Sequence, residues 1–147
     1  MSGSWYIPSG GLQPLLTLLV GAWACLYAVN GRCAPEAAWY SEVQATRGAR
    51  AYDDYCAACH GLQLEGGNSV PLAGATFEAR WVDSGRTVDE FFYIVRTLMP
   101  QDRPASLSPQ QYIDIVAYVL QVNGYRAGAQ ELRPEASVLK GLMLRSR

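Results

Sequence analysis

One pentapeptide, Cys56-Ala57-Ala58-Cys59-His60, constrains this 147-residue chain more than any other feature. It has the pattern C-x-x-C-H, by which c-type haem is attached to proteins. Two thiols three positions apart lie on one face of a helical turn, so both can reach the two vinyl-derived carbons of one haem. The next residue then lies beneath the iron, where its imidazole is the proximal ligand. The motif predicts one haem c, held by thioether bonds to Cys56 and Cys59 and by His60.

Three other uses of this motif compete with haem attachment. A thiol redox pair prefers a βαβ setting, and no strand pattern stands out here. A zinc site needs four ligands, and no other Cys or His remains in the domain to complete them. The third alternative is a disulfide with an unrelated histidine. His60 is the only histidine of the chain and stands at the one position that haem attachment requires, which favours haem.

The remaining cysteines do not favour a pair of disulfides. Cys25 lies inside an apolar run near the N-terminus, and Cys33 follows shortly after it. Both would be lost if the chain were cleaved after Ala34, and if they are retained they are expected to be bystanders.

Met99 is the predicted second axial ligand. It comes just past a predicted helix, in a proline-bounded loop that can fold over the open haem face. Its thioether is a soft, neutral ligand that favours Fe(II) and raises the reduction potential. The alternative is a core methionine that fills a gap. Met1 lies in the leader, and Met143 is expected to pack in the tail.

Three helices are predicted, over residues Glu42–Ala57, Thr87–Leu98 and Ser108–Val122. The second and third each begin with a capping box, in which Glu90 and Gln111 lie three positions after the cap. Residues 61–85 are rich in glycine and predict loops with at most one short helical turn. Because no strand pattern stands out, the sequence predicts an all-α domain.

The N-terminal segment 1–34 contains an almost unbroken apolar run, Leu15–Val29. A membrane-spanning helix needs about 20 residues, so this run is short for one and matches the apolar region of an export signal. No Lys or Arg precedes it, however. A retained membrane anchor through residues 12–29 and a buried helix are the other interpretations. An export signal and a membrane anchor would both place the remaining chain outside the cytoplasm, in the periplasm. The anchor would also hold it at the inner membrane.

Composition limits the organisation and the partners. The chain is 50% hydrophobic and 17% charged, which is typical of a folded domain with modest extensions. We expect a domain over residues 35–124 and a C-terminal extension over 125–147. The formal net charge is −1, with one lysine and scattered arginines, so no basic stripe offers a nucleic-acid site.

The order of these elements resembles class I cytochrome c from about Gly48 to Gly124. The matching motifs are a glycine-aromatic helix, the pentapeptide with Gly61, Pro71-Leu72 with Gly74, Met99-Pro100 and a last helix with Tyr118. The resemblance implies a class I cytochrome c fold, with three to five helices around one covalently bound haem. It also implies that the first and last helices cross at Gly48, Tyr52 and Tyr118, and that the carbonyl of Pro71 accepts the ring N–H of His60.

The end of the last helix and the tail, from Tyr118 onwards, resemble cytochromes associated with periplasmic quinoprotein dehydrogenases. This resemblance suggests a partner class only, a quinoprotein dehydrogenase. We expect a single-electron carrier that catalyses no bond chemistry itself, with a dehydrogenase as donor and an oxidase or another acceptor. Two alternatives stay open: a permanently bound haem subunit of a larger complex, and a haem sensor or enzyme with an open iron position. The expected haem walls are Leu72, Phe77, Trp81, Phe91 and Leu98.

Overall fold

The computed structural model describes Gly3 and residues 38–146. The predicted leader 1–34, with its cysteines, therefore lies outside the described residues apart from Gly3. Within the part that is described, no helix is both long and apolar enough to cross a membrane. The described residues 38–146 all belong to one compact unit.

The described elements are β1 (Tyr40–Ser41), α1 (Glu42–Tyr55), α2 (Ala57–His60), α3 (Gly74–Phe77), a π-helical turn (Glu78–Val82), α4 (Val88–Leu98), α5 (Pro109–Val122), β2 (Ala127–Gly128) and α6 (Ala136–Leu139). The all-α prediction is confirmed. Residues 38–146 contain six α-helices. Three of these are single turns of four residues, so three are long helices. The parallel pair of β1 and β2 was not predicted, since strands of two residues show no alternation.

The ends of the long helices follow from their capping residues. Thr87 and Ser108 cap α4 and α5, and both predicted capping boxes are present. The first predicted helix differs in one respect, because Cys56 leaves the helical conformation with φ of −125°. The segment therefore forms two helices, α1 and α2, and the second carries the end of the pentapeptide.

Helices α1 and α5 cross at the predicted residues. A Cβ at Gly48 would lie only 1.8 Å from the backbone oxygen of Asp114, so the two backbones approach to a distance that only glycine permits. Beside this contact, the rings of Tyr52 and Tyr118 lie 5.4 Å apart. The crossing fixes the position of α5 relative to α1, and with it the positions of the residues that follow α1 relative to those on α5.

The C-terminal tail, residues 125–146, packs on the helices. Gln44 of α1 is completely buried and holds the backbone of Leu132 at both ends of its amide, with distances of 2.9 and 2.7 Å. Further along, the N–H of Leu144 donates to the carbonyl of Arg86 at 2.9 Å. Leu132, Leu139 and Leu144 are buried. The tail is thus part of the packed core, which its separate place in the sequence did not predict.

Candidate functional site

A cavity of about 440 Å³ lies between α2, the turn before α3, α4, α5 and the loop after α4. The residues that border it include all four residues predicted to attach or ligate the haem: Cys56, Cys59, His60 and Met99. Met99 is distant in the sequence from the other three, and the fold brings it to the same space. The volume is within the range of small-molecule and cofactor sites.

The pentapeptide forms the first wall of the cavity. The N–H groups of Cys59 and His60 both donate to the carbonyl of Cys56, at 3.1 and 3.0 Å, which closes one helical turn. Burial raises the pKa of the Cys56 thiol to about 11, with a smaller contribution from Cys59. Reactive redox cysteines have lowered thiol pKa values. The site therefore does not favour the thiol redox alternative.

The imidazole of His60 is buried and has a fixed partner. Its Nδ1 lies 2.8 Å from the backbone oxygen of Val70, and a carbonyl only accepts hydrogen bonds. The proton is therefore on Nδ1, and the lone pair of Nε2 is left for a metal. A bond of this kind fixes the ring and strengthens its donation to iron.

The prediction that the carbonyl of Pro71 accepts this hydrogen bond is wrong by one residue, because the acceptor is the carbonyl of Val70. Proline restricts the residue before it to an extended backbone, so Pro71 governs the direction of the Val70 carbonyl. Its ring also packs closely on Gly66, where a Cβ would lie 2.9 Å from Cγ of Pro71. Pro71 thus acts through its neighbour, and sequence spacing alone did not separate two adjacent carbonyls.

Met99 borders the cavity from the end of α4. It caps the helix with an extended backbone, φ −116° and ψ 155°. Its carbonyl accepts the hydroxyl of Tyr112 at 2.6 Å, and that hydroxyl in turn accepts the N–H of Leu107 at 3.2 Å. Tyr112 thereby fixes both ends of the loop. The helical pattern of α5 alone makes Tyr112 a core residue, although a buried tyrosine hydroxyl needs a polar partner.

The apolar walls differ in part from the prediction. Leu72, Trp81 and Phe91 border the cavity as expected. Phe77 does not border it, because its ring is buried behind Phe91 in an edge-on contact at 5.7 Å. Leu98 does not border it either and is 51% exposed. Four aliphatic wall residues were not predicted as such: Ile94, Val95, Ile115 and Val119.

Met143 lies elsewhere. It pairs with Thr87 in an isolated antiparallel bridge and does not border the cavity.

Among residues 38–146, no group of three or more His, Cys, Asp or Glu side chains is placed to hold a metal ion. The donors that the cavity does offer are two thiols, one imidazole nitrogen and one thioether, within mostly apolar walls. This set fits haem c, since each donor has a place in its attachment or ligation.

Comparison with known proteins agrees with this fit. The family described as "Cytochrome C oxidase, cbb3-type, subunit III" matches residues 43–119, which include the pentapeptide, Met99 and most of α5. No curated protein and no solved structure matches the chain.

Proposed function

The chain belongs to the family of cytochrome c oxidase, cbb3-type, subunit III, and on that premise we propose that it carries one covalent haem c and transfers single electrons. Membership makes it a c-type cytochrome with an all-α cytochrome c fold. The finer assignments are ours: thioether bonds to Cys56 and Cys59, and axial ligation by His60 and Met99. The observation that carries them is that all four residues border one mostly apolar cavity.

Haem c, when bound, supplies an iron that accepts and releases one electron. The chain's own contribution is to hold this group rigidly. Val70 fixes the ring of His60, and Tyr112 fixes the backbone of Met99. Because these supports belong to the packed fold and are present before any electron arrives, little rearrangement of the protein opposes transfer.

The walls of the cavity set its polarity. Trp81 and Phe91 are buried and meet edge to face at 4.8 Å, and Ile115 and Val119 of α5 add aliphatic surface. Such walls exclude water and provide a low dielectric. A low dielectric disfavours the additional charge of oxidised iron, so we expect the walls to raise the reduction potential.

Partners would approach where the cavity opens to solvent. Val70, Gln101 and Asp102 border the cavity and are exposed, and Val70 is 47% exposed. We propose that a reduced dehydrogenase, such as a quinoprotein, donates electrons here and that an oxidase or another acceptor removes them. Encounters of this kind use small, weak interfaces. We further propose that the protein works in the periplasm after export, or anchored to the inner membrane through residues 12–29.

The family description favours one alternative. Its name refers to an oxidase subunit, so a haem subunit that is permanently bound in a larger complex is the second candidate. Purification distinguishes the two: a carrier separates as a monomer, whereas a subunit stays in a stoichiometric complex. A sensor or enzyme is a third reading, and it requires that Met99 does not ligate.

The test is production of the full chain in a strain that attaches haem c. Haem should remain on the denatured wild-type protein and be lost from the double variant Cys56→Ala, Cys59→Ala. The reduced wild type should bind carbon monoxide slowly, whereas Met99→Ala should bind it rapidly. Met143→Ala is the matched control and should behave as the wild type. Loss of haem from the wild type on denaturation contradicts covalent attachment, and rapid binding by the wild type contradicts ligation by Met99.

A further inference from the structure

We propose that the end of the C-terminal tail, residues 139–144, is the outer support of the cavity wall and positions Trp81 and helix α4, and through α4 the ligand Met99. This inference rests on the proposed function, because it assigns a role toward the Met99 side of the haem site. It gives the tail a specific effect on that site beyond general stability.

The tail docks on the segment that leads into α4. The N–H of Leu144 donates to the carbonyl of Arg86 at 2.9 Å, and the N–H of Val88 donates to the carbonyl of Leu142 at 2.9 Å. Between these bonds, Met143 pairs with Thr87 in an antiparallel bridge. Residues 86–88 are thus paired with the tail like neighbouring strands, and the buried side chain of Leu144 holds the pairing against the core.

Arg86 connects this pairing to the cavity. Its N–H donates to the carbonyl of Trp81 at 3.1 Å, and its guanidinium lies over the Trp81 ring, 5.6 Å from the centroid. The same guanidinium lies 3.5 Å from the carboxylate of Glu90, in the first turn of α4. The tail therefore holds Arg86, and Arg86 holds both the indole that borders the cavity and the first turn of α4.

The tail also affects the loop that begins at Met99. Trp81 packs edge-on against Phe91 of α4, and α4 ends directly at Met99. When the tail is released, residues 86–88 lose their paired backbone and the wall can open locally without global unfolding. Small molecules then compete better for the position of Met99.

The experiment compares two leucines of the same tail. Leu144 and Leu132 are each 2% exposed, but Leu132 is held by Gln44 of α1, away from the cavity. The ferric haem protein is titrated with imidazole, which competes with Met99, and urea unfolding is measured in parallel. Leu144→Ala should bind imidazole about tenfold more tightly than the wild type. Leu132→Ala should stay within about twofold, although both variants unfold at lower urea concentrations.

Two further variants keep the test decisive if Leu144→Ala folds poorly. Arg86→Gln keeps the backbone pairing and removes the guanidinium from both Trp81 and Glu90, whereas Glu90→Gln removes the ion pair and the charge of the capping box but leaves the guanidinium over Trp81. Arg86→Gln should raise imidazole affinity, and Glu90→Gln, which keeps the contact with Trp81, should raise it less. Equal imidazole affinities for the Leu144 and Leu132 variants, or an unchanged affinity in Arg86→Gln, would overturn the inference. Failure of the function itself looks different, because the wild type and Met99→Ala would then bind imidazole equally.

Discussion

At the scale of single residues, the site depends on supports that are not ligands. His60 is held by a backbone carbonyl and Met99 by the hydroxyl of Tyr112. A ligand that is held in place beforehand does not have to be ordered when it binds, and this lowers the entropic cost of ligation. If Met99 ligates as proposed, these supports decide how firmly it occupies the sixth position of the iron.

Tyr112→Phe tests this for Met99. The change removes one donor to the Met99 carbonyl and one acceptor of the Leu107 N–H, while the ring can still fill its buried place. A hydrogen bond of this kind contributes about 1 kcal/mol, which corresponds to roughly a fivefold change in an equilibrium. We expect imidazole to displace Met99 about fivefold more readily, as measured by visible titration of the ferric protein.

The control for this variant is Tyr93→Phe. Tyr93 lies on α4, is mostly exposed, and its hydroxyl makes no hydrogen bond to another described residue. Its removal should leave the titration unchanged. An unchanged titration in Tyr112→Phe would show that the Met99 loop is held by its other contacts, such as the N–H of Ala105 at 3.3 Å.

The proposed ligands are easier to identify from the sequence than the groups that support them. Cys56, Cys59 and His60 are recognisable because the chemistry of attachment fixes both residue type and spacing. The carbonyl of Val70 carries no residue-type information, since every residue has one. The role of Tyr112 depends on the path of a loop that only the folded chain defines.

At the scale of elements, the crossing of α1 and α5 depends on one missing side chain. Gly48→Ala would place a Cβ 1.8 Å from the Asp114 oxygen, and that backbone cannot move aside as a flexible side chain could. Overpacking of this kind costs about 1–3 kcal/mol or more. We expect a corresponding loss in the free energy of unfolding, measured in urea on the haem protein.

Gly141→Ala is the matched control for the crossing. Gly141 is exposed, and a Cβ there would meet only the carbonyl oxygen of Val138, at an ordinary 3.5 Å. Its free energy of unfolding should change by no more than about 0.5 kcal/mol. Equal stability of the two variants would mean that the helices separate at the crossing without cost.

The capping box of α4 makes a pH-dependent contribution. The backbone N–H of Thr87 donates to Glu90 and holds the pKa of that carboxylate below its ordinary 4.5; desolvation opposes the shift, while the Thr87 hydroxyl and Arg86 support it. Because its pKa is lower in the folded state, the ionised carboxylate stabilises the fold at pH values above the pKa of the unfolded state. This contribution is lost as the pH falls through the lower pKa of the folded state. Glu90→Gln should therefore lower the melting temperature at pH 7 but not at pH 3.

The second capping box supplies the control. At the start of α5 the amide oxygen of Gln111 accepts the Ser108 N–H at 3.0 Å, so a glutamine can keep this bond and only the charge differs. Gln111→Glu should raise the melting temperature at pH 7, because a carboxylate interacts favourably with a helix N-terminus. A deficit of Glu90→Gln that persists at pH 3 would assign the effect to lost geometry instead of charge.

Both boxes were predictable because a cap is a local pattern of four residues. The break between α1 and α2 was not, because nothing in the sequence around Cys56 marks a helix end. The helical period continues through it, and the break serves the placement of the pentapeptide at the cavity.

At the scale of the whole molecule, a partly buried polar network joins the tail to the helix crossing. Arg47 forms paired hydrogen bonds with the buried carboxylate of Asp114, at 2.9 and 3.1 Å, and with Glu131 of the tail, at 2.8 and 2.9 Å. Gln44 donates to the same Asp114 and binds the backbone of Leu132. Asp114 is a charged residue among the apolar residues of α5. These hydrogen bonds satisfy its buried carboxylate oxygens.

This part of the fold was beyond sequence reasoning. Gln44 and Leu132 are 88 positions apart, and no local periodicity connects them. An apolar residue in the tail indicates that its side chain will be buried, but not which part of the domain it will contact. The sequence therefore predicted an extension, whereas the structure has a tail that reaches from α1 to the start of α4.

Removal of the tail measures how far the cytochrome domain depends on it. A chain that ends at Gly124 loses the buried Leu132, Leu139 and Leu144, and each buried leucine contributes about 1.5–3 kcal/mol. The sum, roughly 5–9 kcal/mol, is comparable to the whole stability of a small domain. We expect this chain to be largely unfolded in circular dichroism at 25 °C, whereas a chain that ends at Arg145 should melt as the full protein does. If the shorter chain melted within a few degrees of the full protein, the helices alone would form the stable unit and the tail would be an accessory to it.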